Sequence, residues 1–420
     1  MSKKIKKRMV PELRFPEFLD AGDWNEINLI DTANKKVKWS FIGGPFGSNL
    51  KSSDYVEKGI RVIQLQNIGD SDFINDYQIF TSVEKANELL SSNIFPGDII
   101  ISKMGDPVGR ACLIPEMHSR YVMCSDGIRL VVNEQRFNKY FVYSLINSLA
   151  FRSLLEKTAT GSTRKRIGLE ELKNLPMVVP EIEEQQKIAD CLASIDELIT
   201  AETQKLDTLK AHKKGLMQQL FPAEGETVPQ LRFPEFRDAE EWNINVLDKL
   251  GENLDYKRVP ISERDRTYGN IPYYGASGIV DYIDDFIFDE DLLCISEDGA
   301  NLVSRTYPIA FPISGMTWVN NHAHVLKFNN FYTQVLVENY LNSINLEEFL
   351  TGMAQPKLNR AKLDIIPIPL PEPEEQQRIA SCLLSIDDLI TEHTQKLELL
   401  KGHKKGMMQQ LFPSVDEGEA

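Results

Sequence analysis

The sequence predicts an α+β protein: two mixed α/β domains in a pseudo-two-fold arrangement, joined by two long helices that form an antiparallel coiled coil. Three observations carry this. The chain holds two copies of one plan, each copy ends in a proline-free stretch with a seven-residue apolar period, and the segments between the repeated ends are unlike. At 420 residues there is chain enough for two or three domains, each burying its own core.

The repeat has two parts. Val10-Pro-Glu-Leu-Arg-Phe-Pro-Glu-Phe18 returns as Val228-Pro-Gln-Leu-Arg-Phe-Pro-Glu-Phe236, and Trp24-Asn25 as Trp242-Asn243. Pro180 to Pro222 returns as Pro371 to Pro413 with 32 of 43 positions identical. The first match is offset by 218 residues and the second by 191, so the segment between them is 27 residues shorter in the second copy. Trp24 to Met177 and Trp242 to Ile368 share almost no continuous sequence. The divisions that follow are 1–179, 180–222, 223–370, 371–413 and an acidic tail, 414–420.

The constant segment reads as a long helix. In the first copy Ile188, Ile195, Leu209 and Leu216 form one row, interrupted by Glu202, and Leu192, Ile199, Leu206 and Leu220 form a second, interrupted by Lys213. The second copy keeps the register: Ile379, Ile386, Leu400 and Met407 with His393 interrupting, and Leu383, Ile390, Leu397 and Leu411 with Lys404 interrupting. About 38 residues at ~1.5 Å each give a rod of roughly 57 Å, and a rod with so narrow an apolar stripe is marginal until another helix covers it. The other copy is the natural cover, and Glu202 and His393 read as register devices. Packing of each rod on a separate core is the competing reading.

In the first insert, Arg61–Leu65, Asp98–Ser102 and Ile128–Val132 read as strands, followed by a helix from about Phe137 to Lys157. In the second, Leu292–Ser296 and His324–Phe328 read as strands and Thr333 to about Leu350 as a helix. Each then has a glycine turn, a polar or basic run, and a proline-flanked strand, Pro176–Pro180 or Ile365–Pro369, of the kind that sheet edges tolerate.

Composition excludes several classes. No run approaches the ~20 apolar residues of a membrane span, and basic Met1 to Arg8 precedes no apolar signal segment, so a cytoplasmic protein is expected. Cys112, Cys124, Cys191, Cys294 and Cys382 are odd in number and never in C-x-x-C spacing, which favours buried free thiols over disulfides or structural zinc. The net charge of -15 by itself argues against nucleic acid, although much of the acid lies in Glu181 to Glu184 and the tail residues Asp416, Glu417 and Glu419. There is no phosphate loop, no glycine-rich cofactor turn and no Asn/Asp-Pro-Pro-Tyr/Phe turn; the nearest match is Asp106-Pro107-Val108. His322 and His324 are two apart without further ligands in sequence, and Glu171-Leu-Lys173 reads as solvated surface rather than a magnesium site. No catalytic residue and no metal ligand is assigned.

Val179-Pro-Glu-Ile-Glu-Glu-Gln-Gln-Lys-Ile188, Leu370-Pro-Glu-Pro-Glu-Glu-Gln-Gln-Arg-Ile379 and Leu209-Lys-Ala-His-Lys-Lys-Gly-Leu-Met-Gln-Gln-Leu-Phe221 carry a resemblance. So do Gly44-Pro-Phe-Gly-Ser48, Pro96–Ser102, Pro272–Ala276, Glu297–Asn301 and Trp318–His324. The chain resembles the specificity subunit of type I restriction–modification systems over nearly its whole length. The resemblance implies a non-catalytic subunit with two target recognition domains on double-stranded DNA. It also implies two adenine methyltransferase subunits and two ATP-dependent restriction and translocase subunits as partners. S-adenosylmethionine, ATP and magnesium would belong to those partners, and this chain would hold no cofactor.

Two unlike readers on one frame imply a split, asymmetric target, its spacer set by the rods. Gly161-Ser-Thr-Arg-Lys-Arg166 and Gly352-Met-Ala-Gln-Pro-Lys-Leu-Asn-Arg360 stand at equivalent points before each rod. Their Ser162, Thr163, Arg164, Lys165, Arg166, Gln355, Lys357, Asn359 and Arg360 suit base edges and phosphates, and are expected at DNA. Ser48, Gln64 and Asn67, with neighbouring Gln66, are further candidates in the first domain, and Tyr273, Tyr274, Asn301, Arg305 and Asn320 in the second. The plain alternatives are solvated loops, half-buried tyrosines and local amide hydrogen bonds. A coiled-coil adaptor holding proteins rather than DNA is the rival function, and a metal-dependent nuclease a third.

Overall fold

The computed structural model describes residues 9–352 and 355–413. The tail, Met1 to Arg8, and Met353-Ala354 of the second loop lie outside the described residues. The chain divides into two compact units: one runs to Ala201 and resumes at Lys396, and the other is Glu202–Gln395.

The rods are continuous helices, Ile182–Leu220 and Pro373–Leu411, of 39 residues each. Each rod therefore contributes one part to each unit. In the first unit, Ile188, Ala189 and Leu192 share a core with Leu411 and Phe412, and Lys404 bonds Asp196 at 2.6 Å. In the second, Leu220 and Phe221 share a core with Ile379, Ala380 and Leu383, and Lys213 bonds Asp387 at 2.7 Å. Rising numbers on one rod meet falling numbers on the other, so within each unit the rod segments are antiparallel. Of the seam positions, Ile188, Leu192, Ile195, Leu206, Leu220, Ile379, Leu383, Ile386, Leu397 and Leu411 are buried. Ile199, Leu209, Leu216, Ile390, Leu400 and Met407 are partly covered.

The repeated junction sequence has a local physical meaning. Glu184 receives two hydrogen bonds from Arg14, at 2.8 and 2.7 Å, and Glu375 receives the same pair from Arg232 at the same distances. Gln185 and Gln376 each donate to the carbonyl that precedes their rod, Pro180 and Pro371, at 2.9 and 2.8 Å. Their amide oxygens accept from the domain helices, from the Asn138 N–H and the Thr333 hydroxyl. The Glu-Glu-Gln-Gln run thus ties the start of a rod to the arm before the domain and to the domain helix. The arm also reaches the end of the other rod, where the Leu13 N–H donates to Gln410 and the Leu231 N–H to Gln219. Those carbonyls would otherwise be among the orphans of a helix C-terminus.

In the first unit the domain has a five-stranded sheet ordered Tyr55–Val56, Ile79–Thr81, Ile60–Ile63, Tyr121–Met123, Asn93–Ile94. A four-stranded sheet follows the order Phe41–Gly43, Gly127–Leu130, Ile99–Ser102, Ala111–Leu113. In the second unit two four-stranded sheets occur: Gly251–Asn253, Ala323–Phe328, Leu292–Ser296, Ala310–Ile313, and Gly278–Ile283, Tyr268–Gly275, Met316–Val319, Phe288–Asp289. The last strand of each domain pairs antiparallel with its first, Asn25–Asn28 with Pro176–Val179 and Asn243–Val246 with Pro367–Leu370. Entry and exit of each insert are therefore zipped beside the rod, and the variable chain between them cannot move that frame.

Two helix expectations need correction. The expected helix 137–157 is two, Lys139–Asn147 and Leu149–Thr158, because Ser148 turns extended and its hydroxyl caps the second by accepting from the Phe151 N–H. The expected helix 333–350 is Phe331–Ser343, ended by extended Ile344. Cys112, Cys124 and Cys294 are buried thiols, whereas Cys191 and Cys382 on the rods are partly exposed.

Removing one partner of a buried ion pair strands the other. E184A and E375A, which strand Arg14 and Arg232 at 7% and 8% side-chain exposure, should each lower stability by about 3 kcal/mol, read from urea unfolding. Burial pushes the Glu338 carboxyl up from 4.5 to about 7, with Lys213 opposing the rise and Asp387 adding to it. A raised carboxyl favours the protonated fold, so its contribution is present at acid pH and fades as pH rises through about 7. Wild type should lose roughly 1 kcal/mol between about pH 6 and pH 8 relative to E338Q, measured by urea titration at both values.

Candidate nucleic-acid interface

Gly161 and Gly352 occupy the left-handed backbone region, with φ of 107° and 82°. A Cβ there would meet the carbonyl oxygens of Arg164 and Gln355 at 2.8 and 2.5 Å. Only glycine closes so tight a turn without strain. Each turn forms a small hairpin: Thr160 and Arg166 exchange backbone hydrogen bonds at 2.9 and 2.8 Å, and Thr351 and Lys357 do so at 2.8 Å both ways. The equivalence of these loops, read from sequence position, is thus also one of backbone geometry.

In the first unit the hairpin's return leg, Lys165–Arg166, pairs with Met104–Gly105. The Ile167 N–H donates to Lys103, the Lys103 N–H to Asp126, and the Gly44 N–H to Gly127. Loops 44–48, 103–105, 124–127 and 160–166 are thereby bonded into one edge. A Cβ at Gly44 would lie 1.7 Å from the Cys124 carbonyl oxygen, so that close approach requires glycine. Ser48, Ser162, Thr163, Arg164 and Arg166 are exposed on this edge. Lys165 pairs with Glu156 and Arg166 with Asp126, both at 2.5 Å. Among the described residues Arg164 has no ion-pair partner, so its guanidinium is available at the tip.

The second unit builds the same kind of edge. The Leu358 N–H donates to Glu297, the Gly299 N–H to Pro356, and the Glu297 N–H to His322. Gln355, Lys357 and Arg360 are exposed; Lys357 pairs with Glu297 at 3.1 Å and Arg360 with Asp364 at 3.4 Å.

Beneath Lys357 lies a buried network that the sequence did not disclose. His324, 1% exposed, has Nδ1 2.6 Å from Asp255 and Nε2 2.8 Å from the Leu358 carbonyl. Arg258 donates to Glu297 at 2.7 Å and lies 3.2 Å from Asp255. Burial alone would raise both carboxyls, but hydrogen bonds and charge from His324, Arg258 and, for Glu297, Lys357 hold them below their ordinary values. The expectation that His324 lacks nearby ligands is corrected, since Asp255, Glu297 and His324 offer ligand atoms within 4.8 Å of one another. Arg258 and Lys357 already neutralise those carboxylates, so the cluster works as an internal salt network that seats the Lys357 hairpin.

Several sequence candidates are spent inside the fold. Asn67, 0% exposed, donates to Ile74 and Tyr77 and accepts from the Gln64 N–H. Gln64 donates to the Tyr55 hydroxyl. Tyr273, 1% exposed, accepts from the Ile261 N–H, and Tyr274 stacks on Phe311. Asn301 closes a turn with Tyr307 through both its amide atoms, and Arg305 donates to the Leu341 and Ile344 carbonyls. Asn320 is buried and accepts from the His322 N–H, while Asn359 caps Arg360–Asp364 by accepting from the Lys362 N–H. All eight are buried or partly covered, and seven of them satisfy polar groups within the fold while Tyr274 packs by stacking. Sequence reasoning missed Phe46, 83% exposed at the Gly44–Ser48 tip, and Asp126, Asp298 and His322, which flank the cations. An aromatic between loop glycines was the available signal for Phe46.

A cleft of about 620 Å³ in the first unit is lined by Asp70, Asp72, Arg152, Asp196, Lys401 and Lys404. No helix among the described residues is long and apolar enough to cross a membrane. E297A should free Lys357 and leave Arg258 with Asp255 and the Ala323 carbonyl as its partners, lowering stability by about 1–3 kcal/mol and speeding amide exchange at Lys357 and Leu358.

The chain matches the family described as type I restriction modification DNA specificity domain twice, over residues 47–211 and 239–401. It is 34% identical over 152 residues to a type I restriction enzyme specificity subunit of Haemophilus influenzae, spanning 36% of this chain and 38% of that protein. It is 23% identical over 383 residues to the MjaX specificity subunit of Methanocaldococcus jannaschii, spanning 84% of this chain and 86% of that one. Among solved structures, a type I restriction–modification S subunit from M. genitalium superimposes with a TM-score of 0.62 at 15% identity, covering 97% of this chain and 100% of that chain. A chain from a type I system complex gives 0.51 at 14% identity, covering 93% and 97%.

Proposed function

The chain belongs to the type I restriction–modification DNA specificity family, and from that premise we propose that it selects the DNA target of a methyltransferase and restriction complex. Each domain reads one half-site, and the rods set the spacer between them. The observation that carries this reading is the pair of glycine-turned hairpins: alike in backbone hydrogen bonding, unlike in side chains, the first presenting exposed cations and hydroxyls and the second exposed cations and an amide, each preceding its rod in sequence. Arginine, lysine and glutamine at such tips can meet base edges and phosphates, and two unlike tips require two unlike half-sites.

The ion pairs of Lys165, Arg166 and Lys357 with carboxylates give a reason for a DNA reader with a net charge of -15. Cations held by acids offer little to a random phosphate backbone, and only a fitting groove compensates for breaking the pairs. The proposed partners are two adenine methyltransferase subunits and two ATP-dependent translocase and nuclease subunits. These would bring S-adenosylmethionine, ATP and magnesium, and this chain would contribute recognition without chemistry in the cytoplasm. The adaptor reading is not favoured, because both family matches take in an insert together with most of a rod.

Mapping methylated adenines in cells carrying the complex should give two short defined sequences separated by a fixed undefined spacer. A continuous palindrome, or no methylation dependent on this chain, would refute the reading. R164A should relax one half-site and Q355A the other, each costing about 1–3 kcal/mol for the cognate sequence, measured by binding to targets altered one half at a time. Equal loss on every sequence would assign those residues to phosphate.

A further inference from the structure

Glu202 and His393 occupy the same position in the two copies of the rod, offset by 191 residues, and they face each other. Glu202 Oε1 contacts His393 Nδ1, with both side chains buried at 8% and 7% exposure. Each interrupts the apolar row of its own rod. A residue that meets its own repeat equivalent sits where antiparallel rods cross register. At every other seam position a residue meets some different position of the repeat.

The rest of the seam does not tell the two rods apart. Asp196 and Asp387 are equivalent, as are Lys213 and Lys404, and the two cross-rod bridges are Lys404 with Asp196 and Lys213 with Asp387. If the first rod met a second copy of itself, Lys213 would find Asp196 and both bridges would survive. The other seam residues are identical between copies except Leu216 and Met407, which are both apolar and close in volume. Only the central pair would change. Two first rods would bury carboxylate against carboxylate, and two second rods imidazole against imidazole.

We propose that Glu202 and His393 are a pairing key: their contact selects the unlike rod of the same chain as partner and rejects the like rod of a second copy. A buried polar residue at one core position of a coiled coil costs stability and in return specifies register and partner. Here the polar residue differs between the copies, so the specification is of unlike over like. The key rests on the chain's own repeat and stands whether or not the domains read DNA.

The full-length chain tests this with four combinations at the two positions. H393E creates within one chain the carboxylate pair that two first rods would make, and E202H creates the imidazole pair of two second rods. H393E should lose at least about tenfold in its folding equilibrium constant. E202H should lose less, since a neutral imidazole can donate to another. The reversed chain, E202H with H393E, should recover most of the loss, and urea unfolding reads all four. The product of the two single losses is the factor by which pairing of like rods from two chains is disfavoured against unlike pairing. Differently tagged H393E and E202H chains, refolded together at high concentration, should give mixed dimers by light scattering and mass spectrometry, because only exchange restores unlike pairs. A reversed chain no more stable than H393E, or a mixture as monomeric as its components, overturns the proposal.

Discussion

Each unit hangs on a buried arginine–glutamate pair at the start of a rod, Arg14 with Glu184 or Arg232 with Glu375. Two charges removed from water must satisfy each other and their remaining hydrogen-bonding capacity, which leaves little freedom of placement. Arg14 also donates to the Ala21 and Gly22 carbonyls, and Arg232 to Ala239 and Glu240. The arm before the domain, the rod after it and the zipped first and last strands are thereby fixed around one point. Everything between those strands varies between the two units without disturbing the frame.

That constraint explains how unlike domains share one plan. Each domain needs only to leave its first strand, build sheets of its own, and return through a glycine-turned hairpin to its last strand. The sheets differ, five- and four-stranded in one unit and twice four-stranded in the other. The hairpins nevertheless arrive with the same backbone bonds, Thr160 with Arg166 and Thr351 with Lys357. Variation in the insert can therefore accumulate while the rods and their junctions stay constant.

Charge is organised on the same principle. On the hairpins Lys165, Arg166 and Lys357 are held by carboxylates, whereas Arg164 has no ion-pair partner among the described residues. Beneath Lys357 the Asp255, Glu297, His324 and Arg258 network holds the loop from inside, where water cannot screen it. Rigid placement of a few side chains favours selectivity, whereas a diffuse basic surface favours binding to any phosphate backbone.

The two-copy plan, the rods with their heptad rows, the strand-then-helix order of each insert and the glycine turns were legible in the sequence. They are written in periodicity and in residue types whose local backbone preferences are strong. Side-chain exposure was legible where loop position alone decides it, as at Arg164 and Gln355 in the two hairpins. Asn67, Tyr273 and Arg305 have the composition of readers, yet each is consumed by a group at another place in the fold, and Asn301 and Asn359 by a local turn and a helix cap. The same holds for His324, whose partners Asp255 and Glu297 lie 69 and 27 residues back in the chain. Local sequence thus determined the frame, because helix and turn propensities act within a few residues. Tertiary structure decided which polar groups face water and which face each other, because burial and hydrogen-bond satisfaction are settled among residues that only folding brings together.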